Sequence, residues 1–134
     1  MKSSWCVSVL LPLTLLLSGA ENSCAQTYPV KTVRIIVGFA AGGGSDIIAR
    51  VIAQKLTAAW GQTVIVDNRV GASGIIGAEL VAKAPADGYT LLVSSQTSTA
   101  VAASLYSKLP YDVLKDFSIV TVLGSAPTLV MVHP

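Results

Sequence analysis

Two glycine-rich stretches are the chemically interesting parts of this 134-residue chain: Phe39-Ala40-Ala41-Gly42-Gly43-Gly44-Ser45-Asp46 and Asn68-Arg69-Val70-Gly71-Ala72-Ser73-Gly74. Each follows a β-branched apolar run and leads into a helical pattern. A loop in that position ends at a helix N-terminus, where unpaired backbone N–H groups and the positive end of the helix dipole face outward. Glycine lets such a backbone come close to a ligand and adopt positive φ. The chemistry this suits is capture of a small anion, a carboxylate as well as a phosphate. Each charge-assisted bond to a backbone N–H contributes roughly 1.5–3 kcal/mol. One such loop alone is better explained as a tight turn. Two at equivalent positions favour a ligand crevice.

The side chains around these loops admit two roles each. Asp46 suits a helix cap or a ligand contact, and Ser45 a cap or a hydroxyl donor. Arg69 either attracts an anion or is a solvated loop charge. Phe39 either walls a pocket or packs beneath its loop. Ser94, Ser95, Gln96 and Thr97 either donate hydrogen bonds or begin a helix.

Enzymatic motifs fail residue by residue. The first loop lacks the Gly-Lys-Ser/Thr of a phosphate-binding P-loop, and Ile47 occupies the third glycine position of a dinucleotide fingerprint begun by Gly42 and Gly44. Gly71-Ala72-Ser73-Gly74-Ile75 misses a nucleophile elbow at its last residue. The single histidine, His133, sits beside the chain end and reads as a strand-end residue. No Cys/His/Asp cluster has metal-ligand spacing, so no metal or cofactor is expected.

The elements that must position the loops follow from periodicity. Thr32 to Gly38 reads as a buried strand, and Asp46 to Trp60 as a helix with Ile48, Ile52 and Leu56 on its apolar face beside Val51. Gly61 ends that helix. Thr63 to Val66 is a second strand, and Gly74 to Ala84 a second helix with Ile76, Leu80 and Val81 as its core face. Tyr89 to Ser94 is a third strand, and Thr97 to Ser104 a short helix. Phe117 to Leu123 and Thr128 to Val132 read as further strands. Two βα units followed by a strand imply a parallel α/β sheet with right-handed crossovers, which binds ligands outside the carboxyl ends of its strands.

The first 25 residues have a different character. Lys2 precedes an apolar run from Trp5 to Leu17, broken by Pro12, and Ser23-Cys24-Ala25 supplies small residues for a signal peptidase. This predicts a secretory signal peptide over 1–25, cut after Ala25. The run is short of the roughly 20 residues a membrane span requires. Cys6 and Cys24 both fall within residues 1–25, so residues 26–134 hold no cysteine and no disulfide. Nine basic residues less Lys2, and seven acidic less Glu21, leave a net charge of +2 with no basic run. Nothing there invites nucleic acid or a membrane surface.

Taken together, Tyr28-Pro29, TVRIIVGFAAGGGSDIIARVIAQKL, GQTVIVDNRVGASGIIGAELVAKAPADGYTLL, SLYSKLPYDVLKDFSIV and PTLVMVHP resemble the receptors of tripartite tricarboxylate transporters, the Bug-type family, from Tyr28 to Pro134. The resemblance implies a periplasmic, non-enzymatic solute receptor with a two-lobed Venus-flytrap fold. It would capture a small carboxylate and deliver it to membrane permease subunits. In that family, backbone amides and ordered water from the two loops hold the carboxylate. Carried onto this sequence, the ligand-binding residues are Phe39, Ala41, Gly42, Gly43, Ser45, Asp46, Gly71, Ala72, Ser73 and Gly74, with Ser95 added from the third strand's end.

The chain departs from the family pattern at three loop positions. Ala41 stands for the proline of FAPGG, and Val70 and Ser73 stand for proline and glycine in NRPGAGG. Losing a proline loosens a loop. Family members also continue to a second lobe, so residues 26–134 read as an incomplete first lobe, expected to be poorly soluble and to bind weakly alone. Besides the receptor, two readings remain: a fragment of such a receptor that binds nothing, and a small exported enzyme.

Overall fold

The computed structural model describes residues 27–125. The expected signal peptide, the expected strand Thr128–Val132 and His133 lie outside the described residues. Strand β1 (Val33–Val37) leads to helix α1 (Gly44–Trp60), then β2 (Val64–Asn68), a 3-10 turn (Ala72–Gly74), helix α2 (Ile75–Ala82), β3 (Thr90–Val93), a second 3-10 turn (Gln96–Ser98) and a short helix α3 (Ala100–Leu105). The strands form a parallel sheet in the order β2-β1-β3. Val33 pairs with Val64 and Val37 with Asn68 on one side of β1, and Arg34 with Thr90 and Val37 with Val93 on the other.

A central parallel strand is covered on both faces, which is why β1 is almost continuously apolar. Val33, Ile35 and Val37 pack with Ala49, Ala53 and Val64, with Leu56 and Trp60 of α1 beside them. A second cluster forms around Ile75 and Ala78 of α2, with Ala102, Tyr111 and Leu92. The parallel sheet and its helices therefore match the α/β reading of the sequence. The chain before β1 is pinned at the opposite end of the sheet from the glycine loops. There the Tyr28 hydroxyl donates to the Gly88 carbonyl (2.7 Å), and the Val30 N–H donates to the Tyr89 hydroxyl (3.0 Å).

Several sequence expectations need correction: β2 runs to Asn68 rather than Val66, and α3 starts at Ala100 rather than Thr97. Helix α1 begins at Gly44, two residues before Asp46, and buries Ala49 and Ala53 rather than Ile48 and Val51. Ile47 (56% exposed) and Val51 (53%) face outward. Hydropathy picked out half of the stripe, Leu56 packing on the core and Ile52 being partly buried, but missed Ala49 and Ala53 because small residues let the helix approach a β-branched sheet closely. Helix α2 likewise buries Ile75, Gly77 and Ala78, while Ile76 is exposed and Leu80 and Val81 are half-buried. A Cβ on Gly77 would lie 3.0 Å from the Gly38 Cα, so contact with β1's end sets that face. Finally, Phe117–Leu123 forms no strand. Ile119, Val120 and Val122 stand more than 80% exposed, showing that β propensity without a paired edge does not make a strand.

Candidate functional site

The glycine loops leave the carboxyl ends of β1 and β2 and meet a third segment, Ser94–Thr99, after β3. Two glycines allow this convergence. A Cβ on Gly38 would sit 2.7 Å from the Gly74 Cα, and one on Gly74 would sit 2.9 Å from the Ser98 Cβ and 3.3 Å from the Phe39 ring. No side chain fits at either point. The Arg69 N–H donates to the Val37 carbonyl (2.8 Å), which continues the ladder into the second loop.

The second loop has an unusual backbone. Gly71, Ala72, Ser73 and Gly74 all have positive φ, at 147°, 45°, 54° and 92°. Two are not glycine, and the left-handed region costs an L-residue roughly 1–2 kcal/mol. Such strain is held by its surroundings and gathers at functional sites. Here the Gly74 N–H donates to the Gly71 carbonyl (2.9 Å), closing the turn, and the Ala72 and Ser73 side chains face solvent.

In the first loop, Ala41, Gly42 and Gly43 are exposed, and Gly42 has φ 84°. Gly43 is the residue before α1's first turn, with no side-chain cap. The first intrahelical donor is the Ile47 N–H, to the Gly43 carbonyl (3.0 Å). Helix geometry leaves the N–H groups of Gly44, Ser45 and Asp46 without a carbonyl one turn back.

Asp46 is no end cap of the expected kind. It lies in the first turn, 2% exposed, and its oxygens are occupied from within the protein. Oδ2 accepts from the Gly42 N–H (2.8 Å) and Arg50 Nε (2.9 Å), and Oδ1 from Asn68 Nδ2 (3.0 Å). The hydrogen bond from Arg50, foremost, and that from the Gly42 N–H lower its pKa from 3.8 to about 2, against the opposing effect of burial. Asn68 Nδ2 also donates to the Phe39 carbonyl (3.0 Å), and Arg50 Nη2 donates to Asn68 Oδ1 (3.1 Å). The sequence reading missed Arg50 and Asn68. The Asp46–Arg50 spacing of four residues was visible in the sequence, whereas Asn68 meets them only through the β1–β2 register.

Other expected residues divide. Phe39 is half-buried and packs on the first core cluster beneath its loop. Ser45 is partly buried, and its hydroxyl caps nothing. Arg69 is engaged by Asp67, through Nε and Nη2, each at 3.1 Å. Arg34 shares the same carboxylate, and its hydrogen bond is the largest cause holding the Asp67 pKa below its ordinary value. The Ser95 hydroxyl is the one buried side-chain polar atom without a partner among the described residues. Its neighbour Ser98 is 1% exposed and pairs with the Ser94 hydroxyl (2.7 Å), and the Ser98 carbonyl accepts from the Tyr111 hydroxyl (2.7 Å). Among the described residues no group of three His, Cys, Asp or Glu side chains is arranged to hold a metal, and no helix is long and apolar enough to cross a membrane.

An open parallel sheet with glycine loops and bare helix N–H groups at the carboxyl ends of its strands is the architecture of a ligand-binding α/β lobe. Residues 48–134 match the model of the tripartite tricarboxylate transporter family receptor, and the chain belongs to that family. It is 45% identical over 111 residues to protein BugT of Bordetella pertussis, an alignment covering 82% of this chain and 34% of BugT. Among solved structures it is similar to MatC from Rhodopseudomonas palustris with bound malate (40% identity, TM-score 0.63, 67% of this chain and 31% of that one). It is also similar to an R. palustris protein with adipate (39% identity, TM-score 0.60, 65% and 29%) and to a periplasmic transporter (44% identity, TM-score 0.62, 66% and 30%). The chain thus spans about a third of the length of the relatives it matches.

Proposed function

We propose that this chain forms the carboxylate-binding face of an extracytoplasmic solute receptor that serves the permease subunits of a tripartite transporter. What supports the reading is that the two glycine loops meet, Gly38 and Phe39 of one against Gly74 of the other, and that one leads into the uncapped N-terminus of α1 while the other forms a left-handed turn. Such backbone donors bind one carboxylate of a small dicarboxylic acid, directly or through water. Of the expected ligand residues, Ala41, Ser45, Gly71, Ala72, Ser73 and the N–H of Asp46 are assigned that role, while the N–H groups of Gly42 and Gly43 are spent on the Asp46 carboxylate and the Ala40 carbonyl and the Ser95 hydroxyl is buried. Phe39, Gly74 and the Asp46 carboxylate hold the loops in shape. The receptor binds its ligand and does not transform it. Export by the segment 1–25, cut after Ala25, places it in the periplasm.

Malate and adipate, bound by two similar proteins, are the first ligands to test. One lobe alone leaves its loops open to water and binds weakly, so thermal melting of residues 26–134 is expected to shift upward only at high concentrations of either acid, while the neutral diamides leave it unchanged. Equal shifts with acid and diamide would overturn the reading. A second reading, a scaffold that binds nothing alone, is favoured by the exposure of Ile119, Val120 and Val122, and a melt unmoved by every ligand would support it.

A further inference from the structure

Asp46, Arg50 and Asn68 form a closed polar network between the two glycine loops. Asp46 ties the Gly42 N–H in the first loop to Asn68 at the end of β2. Asn68 ties the Phe39 carbonyl, at the other end of that loop, to the same carboxylate. Arg50 closes the ring from α1, donating to both Asp46 and Asn68. Asn68 is both the last residue of β2 and the first of the second glycine-rich stretch. We infer that Asn68 and Asp46, braced by Arg50, are positioning residues that set the first loop's shape against the second and so preorganise the anion crevice.

Several features make this more than general packing. The carboxylate is almost fully enclosed and carries three donors, two on Oδ2 and one on Oδ1, which leaves little freedom for rotation. The Asn68 amide nitrogen spends both protons, one on the Phe39 carbonyl and one on Asp46. The first loop's remaining backbone restraint is one long bond, from the Gly43 N–H to the Ala40 carbonyl at 3.3 Å. Without proline at position 41, that loop depends on the side-chain network for its shape. The network adds nothing to the crevice's own donors, because its polar atoms are turned on one another. Its effect on binding is to keep the crevice from reorganising when the anion arrives.

The effect on affinity rests on the carboxylate-receptor reading, but the loop-positioning role has its own readout. Amide hydrogen exchange at Gly42 is compared in the wild type, Asn68→Ala, Arg50→Ala and Ala53→Gly, the last a control that weakens α1 far from the loops. Breaking one link of the network is expected to speed Gly42 exchange about tenfold, the effect of one hydrogen bond. The β1 amides should change no more than in Ala53→Gly at matched stability. Arg50 is half-exposed, so its truncation keeps the test open if Asn68→Ala does not fold. Malate affinity is expected to fall by a similar factor in both network variants and to hold in Ala53→Gly. Gly42 exchange no faster than in the control would overturn the inference. If the wild type does not respond to malate, the receptor reading fails, and the Gly42 comparison still decides whether the network positions the loop.

Discussion

Replacing Ser73 by glycine should stabilise this protein, although it removes a side chain. Ser73 has φ 54° and ψ 34°, in the left-handed region, and its side chain is exposed. Relief of the left-handed penalty is worth roughly 1–2 kcal/mol. Glycine returns roughly 0.5–1 kcal/mol of this through its greater freedom in the unfolded chain. The net gain is about 0.5–1 kcal/mol, or a melting temperature higher by about 2–8 °C for a domain of this size. Urea unfolding of residues 26–134 measures it, and the slope of the transition should not change. Ser73→Ala keeps the same backbone strain and should gain little. A loss of stability in Ser73→Gly would refute the reasoning, because it would show either that the loop is not left-handed there or that the hydroxyl makes a stabilising contact. The family pattern has glycine at this position, as the backbone angle explains.

Gly38→Ala should destabilise by about 1–3 kcal/mol in the same unfolding assay, because its Cβ would meet the Gly74 Cα at 2.7 Å and neither backbone can yield. The acid limb of stability should depend on Asp46. Its native pKa lies below its unfolded value, so its contribution is present above pH 3.8 and fades as pH falls toward about 2. Unfolding measured across that range should therefore show a shallower pH slope in Asp46→Asn than in the wild type, and parallel slopes would contradict this.

Where the sequence spoke through backbone chemistry it was readable. The β-branched runs at Val33–Val37 and Thr63–Val66, Gly61 at the end of α1 and the two glycine loops all imply their structure locally, although β2 runs on to Asn68. The faces of the helices were only partly readable. Ala49, Ala53, Gly77 and Ala78 are buried because they are small, and hydropathy favours Ile48, Val51 and Ile76 in their place. The segment Phe117–Leu123 has strand-forming residues but no paired edge, and only tertiary structure reveals that. The loops were legible as glycine turns at the carboxyl ends of the strands. The network that shapes them was not, since Asn68 and Asp46 lie 22 residues apart and meet only through strand register.

The central claim is that backbone amides of the two loops bind a carboxylate. A titration of isotope-labelled residues 26–134 with malate, followed amide by amide in NMR spectra, tests it most directly. The amides of Gly44, Ser45, Asp46, Ala72 and Ser73 are expected to shift together with one dissociation constant, while those around Tyr28, Trp60 and Gly88 at the opposite end of the sheet stay still. Shifts spread evenly over the surface, or confined to residues away from the two loops, would contradict it.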